Sequence, residues 1–151
     1  AGKQDSGGHS RAHVAEWMVR DIIECVSYGQ QRGVIVAIQN HNDFIKTAEH
    51  ALTILRMVDT PWFGLILDTG SYRTGDPYEQ ISATASHAVN WQVKELITVN
   101  GREESTDLER IVKILREAGY RGYVPIETLG SGDPKAKVRT MLLALQKALG
   151  Q

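Results

Sequence analysis

The chain has 151 residues, enough for one domain with a real core and too few for two ordinary ones. Its 42% hydrophobic and 23% charged content belongs to a folded globular protein and excludes a disordered one. With 17 basic and 18 acidic residues the formal net charge is −1, which excludes a broadly basic nucleic-acid surface. Cys25 is the sole cysteine, so no internal disulfide or cysteine-rich zinc site can form. No apolar run reaches the length of a membrane span. The opening AGKQDSGGHSR is polar and glycine-rich, unlike a secretory signal, and has no initiating Met. The expectation is a processed or truncated chain, cytoplasmic by default, with neither a nucleic-acid nor a membrane partner.

The first twelve residues read as a loop. From Ala12, the residues Val14, Trp17, Met18, Ile22, Cys25 and Val26 recur at helical steps, and Gly33 is a plausible stop. Val34 to Gln39 is a short β-branched apolar run, suited to a strand buried on both faces. A second amphipathic helix carries Phe44, Ala48, Ala51, Leu52, Leu55 and Val58 inward, and Asp59-Thr-Pro61 breaks it. Phe63 to Asp68 is the next strand. Asp76-Pro77 reads as an N-cap followed by a first-turn proline, opening a helix to about Ser86. Ala88 to Lys94 is a third strand, and Asn100-Gly101 with the charges after it forms a turn. Thr106 with Glu109 fits a capping box for a helix bearing Leu108, Ile111, Val112, Leu115 and Ala118, which Gly119 ends. Gly122 to Glu127 is the fourth strand, with Pro125 awkward inside it. Asp133-Pro134 opens a last helix carrying Val138, Met141, Leu142 and Leu145. Strands and helices alternate to the end, so the fold class is α/β with a parallel sheet.

Three strands end in a side chain able to coordinate or hydrogen-bond, namely Gln39, Asp68 and Glu127, and the fourth carries Gln92 and Lys94 near its end. Ligands of parallel α/β folds bind beyond the carboxyl ends of the strands, so in a barrel these groups converge on one spot. Asp68 and Glu127 directly follow apolar runs, where a carboxylate needs a cation or N–H donors. Asn40 and His41 stand in position to contact a sugar hydroxyl or phosphate, and Tyr72 and Arg73 to grip a phosphate or carboxylate. The LGSGDP loop at 129–134 leads into a helix N-terminus, which favours anions. Trp91 is expected on the core side of its strand, Trp17 and Cys25 in the core, and Trp62 under the loops. His9, His13, His50 and His87 show no ligand spacing.

QNHNDF at 39–44, GLILDTGSY at 64–72, DPYEQI at 76–81, AVNWQVKE at 88–95 and GYRGYVPIETLG at 119–130 resemble the xylose isomerase-like TIM-barrel family of sugar phosphate isomerases and epimerases. The resemblance runs from Ala12 to Gly150 and matches the C-terminal half of such a barrel, strands five to eight. It implies a single partial-barrel domain over residues 1–151. A full barrel takes about 250 residues, so the resemblance also implies self-association or a missing N-terminal half-barrel.

Members of that family hold one divalent metal, Mn²⁺ or Mg²⁺, with Glu, Asp, His and Glu at the ends of these four strands. Carried over by motif, the metal residues are Gln39, Asp68, Gln92 and Glu127. In the family's HVHLKD-like pattern Lys94 matches the Lys and Glu95 the following acid, and Ser71 stands where a substrate-contacting His often falls. Two of the four ligands are therefore altered. A Gln oxygen still ligates a hard cation but brings no charge, and Gln39 cannot act as a base near neutral pH. The implied function is a metal-assisted isomerase or epimerase of a sugar or sugar phosphate. Its catalytic residues are Glu127 and Lys94, and Gln39, Asn40, His41, Ser71 and Arg73 contact the substrate. The alternative is a sugar- or polyol-binding barrel that has lost metal ligands and catalysis. A nuclease like the more distant relative endonuclease IV is disfavoured, because His is missing at the matched positions and the charge is not basic.

Overall fold

The computed structural model describes residues 7–151; positions 1–6 of the expected opening loop lie outside the described residues. The elements in chain order are α1 (Arg11–Gln30), β1 (Val36–Gln39), α2 (Ala48–Val58), β2 (Phe63–Asp68), α3 (Pro77–Thr84), β3 (Ala88–Lys94), β4 (Leu96–Val99), β5 (Arg102–Ser105), α4 (Leu108–Glu117), β6 (Ile126–Glu127) and α5 (Pro134–Leu149). A 3₁₀ turn, Ala85–His87, joins α3 to β3.

Strands β1, β2, β3 and β6 form a four-stranded sheet in that order, all parallel. With helices between successive strands, this is a partial (β/α) barrel of the expected kind. The core lies between sheet and helices: Leu65, Leu67, Trp91 and Val93 are fully buried beside Ile54, Ile81 and Ile111. Trp91 takes the expected core position, 6.0 Å from the Tyr120 ring. Pairing of β2 with β3 slips between Leu65 and Ile66, which face Ala88 and Asn90 and leave Val89 as the extra residue. Gly64 makes room for it, since a Cβ there would stand 2.3 Å from Val89 Cγ1.

Several expectations need correction. Helix α1 buries Ala15, Val19, Val26 and Gly29, so the packed face is rotated from the expected one. Trp17 is 43% exposed and Cys25 is exposed. The apolar stripe is wider than the packing face, and Trp17 lies instead against the His9 and His13 rings. Trp62 precedes β2, at the end of the sheet opposite the expected loops, where its carbonyl accepts from Val36 N–H. Strand β6 holds two residues, not six. Pro125 has no N–H to give, and its carbonyl accepts from Val93 N–H at 2.9 Å just before pairing begins.

The stretch after β3 is an antiparallel hairpin, β4–β5, rather than a simple turn. Asn100 and Gly101 both have positive φ, 50° and 77°, as a two-residue hairpin turn requires. The cap of α4 is Asp107, whose carboxylate accepts from Arg110 N–H at 3.0 Å; Thr106 donates its hydroxyl to the Lys94 carbonyl at 2.7 Å instead. In α5 only Met141 and Leu145 are buried, and Val138 and Leu142 are exposed. Among the described residues no helix is long and apolar enough to cross a membrane.

Candidate functional site

The carboxyl ends of the four parallel strands bring Gln39, Asp68, Gln92, Lys94 and Glu127 together. In register, Asp68 lies beside Gln92 and Lys94 beside Glu127. Gln92 and Lys94 are two residues apart and so share a face of β3, while Trp91 and Val93 turn to the core.

The Asp68 carboxylate is fully buried. Its Oδ1 accepts from Gly70 N–H at 3.0 Å, and its Oδ2 from Gln39 Nε2 at 3.2 Å. The Lys94 ammonium is 3.5 Å from Asp68 Oδ2 and 2.7 Å from Glu127 Oε2, joining the two carboxylates. Gln39 Nε2 also donates to Gln92 Oε1 at 2.6 Å. Such a buried carboxylate is tolerable because N–H donors and a cation surround it.

The backbone beneath this cluster is fixed by small polar side chains. Asn40 is fully buried, donating to the Asp68 carbonyl at 2.8 Å and accepting from Asp68 N–H at 2.9 Å. Its amide clamps the end of β1 to the end of β2 and is spent within the chain, so Asn40 positions the site rather than facing a ligand. Thr69 Oγ1 accepts from Lys94 N–H at 2.9 Å, tying β3 to the loop after β2.

Above the cluster lies a cleft of about 350 Å³, lined by His41, Asp43, Ser71, Arg73, Lys94 and Glu127 among others. The hairpin supplies Leu96, Thr98 and Glu103 to the same wall. Sequence reasoning missed the hairpin; its signal was the β-prone run LITV leading into Asn100-Gly101. Ser71 is buried and His41 and Arg73 are exposed. His41 Nδ1 is 3.9 Å from Asp43 Oδ2, whereas Arg73, at the rim of the cleft, has no ion-pair partner among the described residues. Behind Ser71, burial pushes the Tyr72 hydroxyl up to about 12; its hydrogen bond to Thr84 opposes this and the Asp68 charge adds to it. Glu95 is ion-paired to Lys137 of α5 at 2.8 Å. In the loop at 129–134, the Asp133 carboxylate caps α5 through Lys135 and Ala136 N–H, and Lys137 donates to the Leu129 carbonyl. The helix N-terminus expected to favour an anion is thus already served by a carboxylate.

The four strand-end positions converge as the carried-over ligand set requires, but their chemistry does not fit a divalent ion. Among the described residues, no group of three or more His, Cys, Asp and Glu is placed to hold a metal. Asp68 Oδ2 and Gln92 Oε1 each accept from Gln39 Nε2, and Glu127 Oε2, which accepts no hydrogen bond among the described residues, lies 2.7 Å from the Lys94 ammonium. A metal there would meet an ammonium between its two anionic ligands.

The chain matches the family model for the xylose isomerase-like TIM barrel over residues 2–148, and it belongs to that family. No curated protein matches it. Among solved structures it is similar to a xylose isomerase domain protein from Planctomyces limnophilus (TM-score 0.69, 22% identity), covering 87% of this chain and 52% of that one. It is similar also to 3-keto-D-glucoside 4-epimerase from E. coli (TM-score 0.74, 16% identity, 93% and 56% covered). A third is D-psicose 3-epimerase from Clostridium cellulolyticum H10, solved with D-tagatose (TM-score 0.69, 19% identity, 97% and 58% covered). At these identities the likeness is one of fold. The chain spans about half the length of each.

Proposed function

We propose that this chain forms the working half of a sugar isomerase or epimerase that moves a proton at a carbon next to a carbonyl. The observation that carries the reading is the Asp68–Lys94–Glu127 cluster at the strand ends, opening into a cleft of about 350 Å³. Family membership and the epimerases among its structural neighbours support it.

Glu127 is the base and takes the proton from the substrate carbon. Lys94 donates a hydrogen bond, and then a proton, to the carbonyl oxygen, so that an enediol forms. Glu127 then returns its proton to the neighbouring carbon while the other enediol hydroxyl gives its proton to the neutral Lys94 amine, which forms the new carbonyl, restores the ammonium and completes an isomerisation. Epimerisation needs a second acid on the opposite face, and Gln39 cannot supply it. A single carboxylate base therefore favours isomerisation over epimerisation. Ser71, Thr98 and His41 line the cleft and offer hydrogen bonds to hydroxyl groups, while Gln39 and Gln92 are bonded to each other beneath it. Arg73 is the anchor for a phosphate or carboxylate, which makes sugars and sugar phosphates the substrate class. Since the donor set does not fit a divalent ion, Lys94 and not a metal supplies the positive charge at the carbonyl.

Gln39 and Gln92 favour a second reading, in which the barrel binds a polyol without turning it over. The two readings separate in deuterated water with a panel of ketoses and their phosphates. The enzyme reading expects deuterium at the carbon beside the carbonyl, falling by about 100-fold or more in Glu127→Gln. Sugar binding by NMR with no exchange would establish the binding barrel, and neither binding nor exchange would overturn both.

A further inference from the structure

We infer that the Lys94 ammonium is the resident cation of this centre, held there by a gap at Gly70, and that the chain works without a divalent metal. The inference rests on the Asp68–Lys94–Glu127 cluster being the working centre, but its test reads metal and ammonium, not turnover.

Three observations carry it. First, the chain supplies its own cation: one ammonium lies 2.7 Å from Glu127 Oε2 and 3.5 Å from Asp68 Oδ2. Asp68 is fully buried and the lysine side chain only 15% exposed, so water does little to screen the pair. Second, the two neutral positions complete the arrangement instead of opposing it. Gln39 Nε2 donates to both Asp68 Oδ2 and Gln92 Oε1, the oxygens an incoming metal would need. With Gln at both positions the pocket oxygens carry two formal charges, and Lys94 neutralises one of them. Third, the path of the lysine is built. A Cβ on Gly70 would stand 2.6 Å from Lys94 Cγ, 3.0 Å from Lys94 Cβ and 3.0 Å from the Leu96 carbonyl oxygen. The Lys94 backbone is meanwhile pinned on both sides, its N–H by Thr69 Oγ1 and its carbonyl by the Thr106 hydroxyl. Gly70 thus acts as a positioning residue: it leaves the space through which the lysine stem reaches both carboxylates.

The experiment is titration with Mn²⁺, followed by calorimetry, on the chelator-treated chain and on Lys94→Met. The variant keeps an apolar stem against Gly70 and removes the charge. The expected result is no saturable binding in the parent and one saturable site in Lys94→Met, lost again in Lys94→Met/Asp68→Asn. Saturable one-site binding by the parent, weakened by Asp68→Asn or Glu127→Gln, overturns the inference. So does a folded Lys94→Met that gains nothing. Should Lys94→Met fail to fold, lysine ¹⁵Nζ NMR on the unmodified chain decides. One ammonium signal protected from exchange, unmoved by Mn²⁺ and shifted by Gly70→Ala, supports the inference. Absence of a protected ammonium, or its broadening by stoichiometric Mn²⁺, overturns it.

Discussion

Asp68 and Tyr72 lie four residues apart, both fully buried, and burial acts on them in different ways. Asp68 is surrounded by donors and serves the site. Tyr72 is held beside Thr84, with 3.2 Å between the hydroxyls, and its proton is harder to remove because burial, more than the Asp68 charge, disfavours the phenolate. A raised folded-state value means that its contribution is fully present below the ordinary tyrosine value of 10.0 and is lost as pH rises from there towards about 12. Over that window urea melts should show stability falling by a few kcal/mol at most. Tyr72→Phe should flatten the alkaline decline, although Tyr78 and Tyr120, also pushed up by burial, leave part of it. An unchanged alkaline limb in Tyr72→Phe would contradict this. At this scale the sequence was readable where a strand end fixes a side chain, as at Asp68, Gln92, Lys94 and Glu127. Asn40 was not readable, because its role depends on a backbone 28 residues away that its amide reaches from both ends. Nor was Gly70, since nothing in TGSYR tells that a lysine stem from another strand passes over it.

Among the elements, β2, β3 and α3 begin where the pattern predicts, and for the reasons predicted. Asp76 caps α3, accepting from Tyr78 N–H at 2.7 Å and Glu79 N–H at 3.3 Å, and it pairs with Arg110 of α4 at 3.3 Å. Burial nudges its carboxyl up, but those N–H bonds and the guanidinium outweigh it and hold the carboxyl below the usual range. Asp76→Ala should cost about 1 kcal/mol in denaturant melts, mostly as a lost cap, and a loss below about 0.3 kcal/mol would count against the capping account. The same lowered value implies that this contribution is present above the ordinary carboxylate range and lost as pH falls through the folded value. Gly64 offers a sharper test of the β2–β3 register. Alanine there meets Val89, so Gly64→Ala should destabilise by about 1–3 kcal/mol, and Val89→Ala should relieve much of it in the double variant. Additive losses in the two substitutions would disprove that contact. The hairpin β4–β5 and the cap at Asp107 were misread for one reason. Four-residue strands are too short to show a period, and the local pattern Thr106-x-x-Glu109 competes with an equally good cap one residue on.

For the whole molecule, the sheet ends in β1 on one side and in β6 on the other, and among the described residues no strand pairs with either outer edge. Every residue of β1 is only partly buried. Beside it an open groove of about 410 Å³ is lined by Met18, Ala37, Ile38, Phe44 and Ile66. Exposed strand edges and contiguous apolar surface favour association. Together with coverage of about half of each structural neighbour, this supports the proposal that a second copy, or a complementary half-barrel, lies along these edges. Sedimentation velocity at micromolar concentration should show a species larger than one chain; a single monomeric boundary at all concentrations would refute self-association. The family and the strand-end cluster were legible at this scale, because each motif sits at a strand end. What lies along the open edges was not, because the chain's own periodicity records only the contacts it makes with itself.

In the proposed function, Glu127 and Lys94 move a proton at a substrate carbon without help from a metal. Deuterium incorporation into a ketose panel, followed by NMR on protein stripped with chelator, tests it most directly. The expected result is label at the carbon beside the carbonyl, unchanged by added Mn²⁺ and lowered about 100-fold or more in both Glu127→Gln and Lys94→Met. Label that appears only after Mn²⁺ is added, or that survives Glu127→Gln, would contradict it.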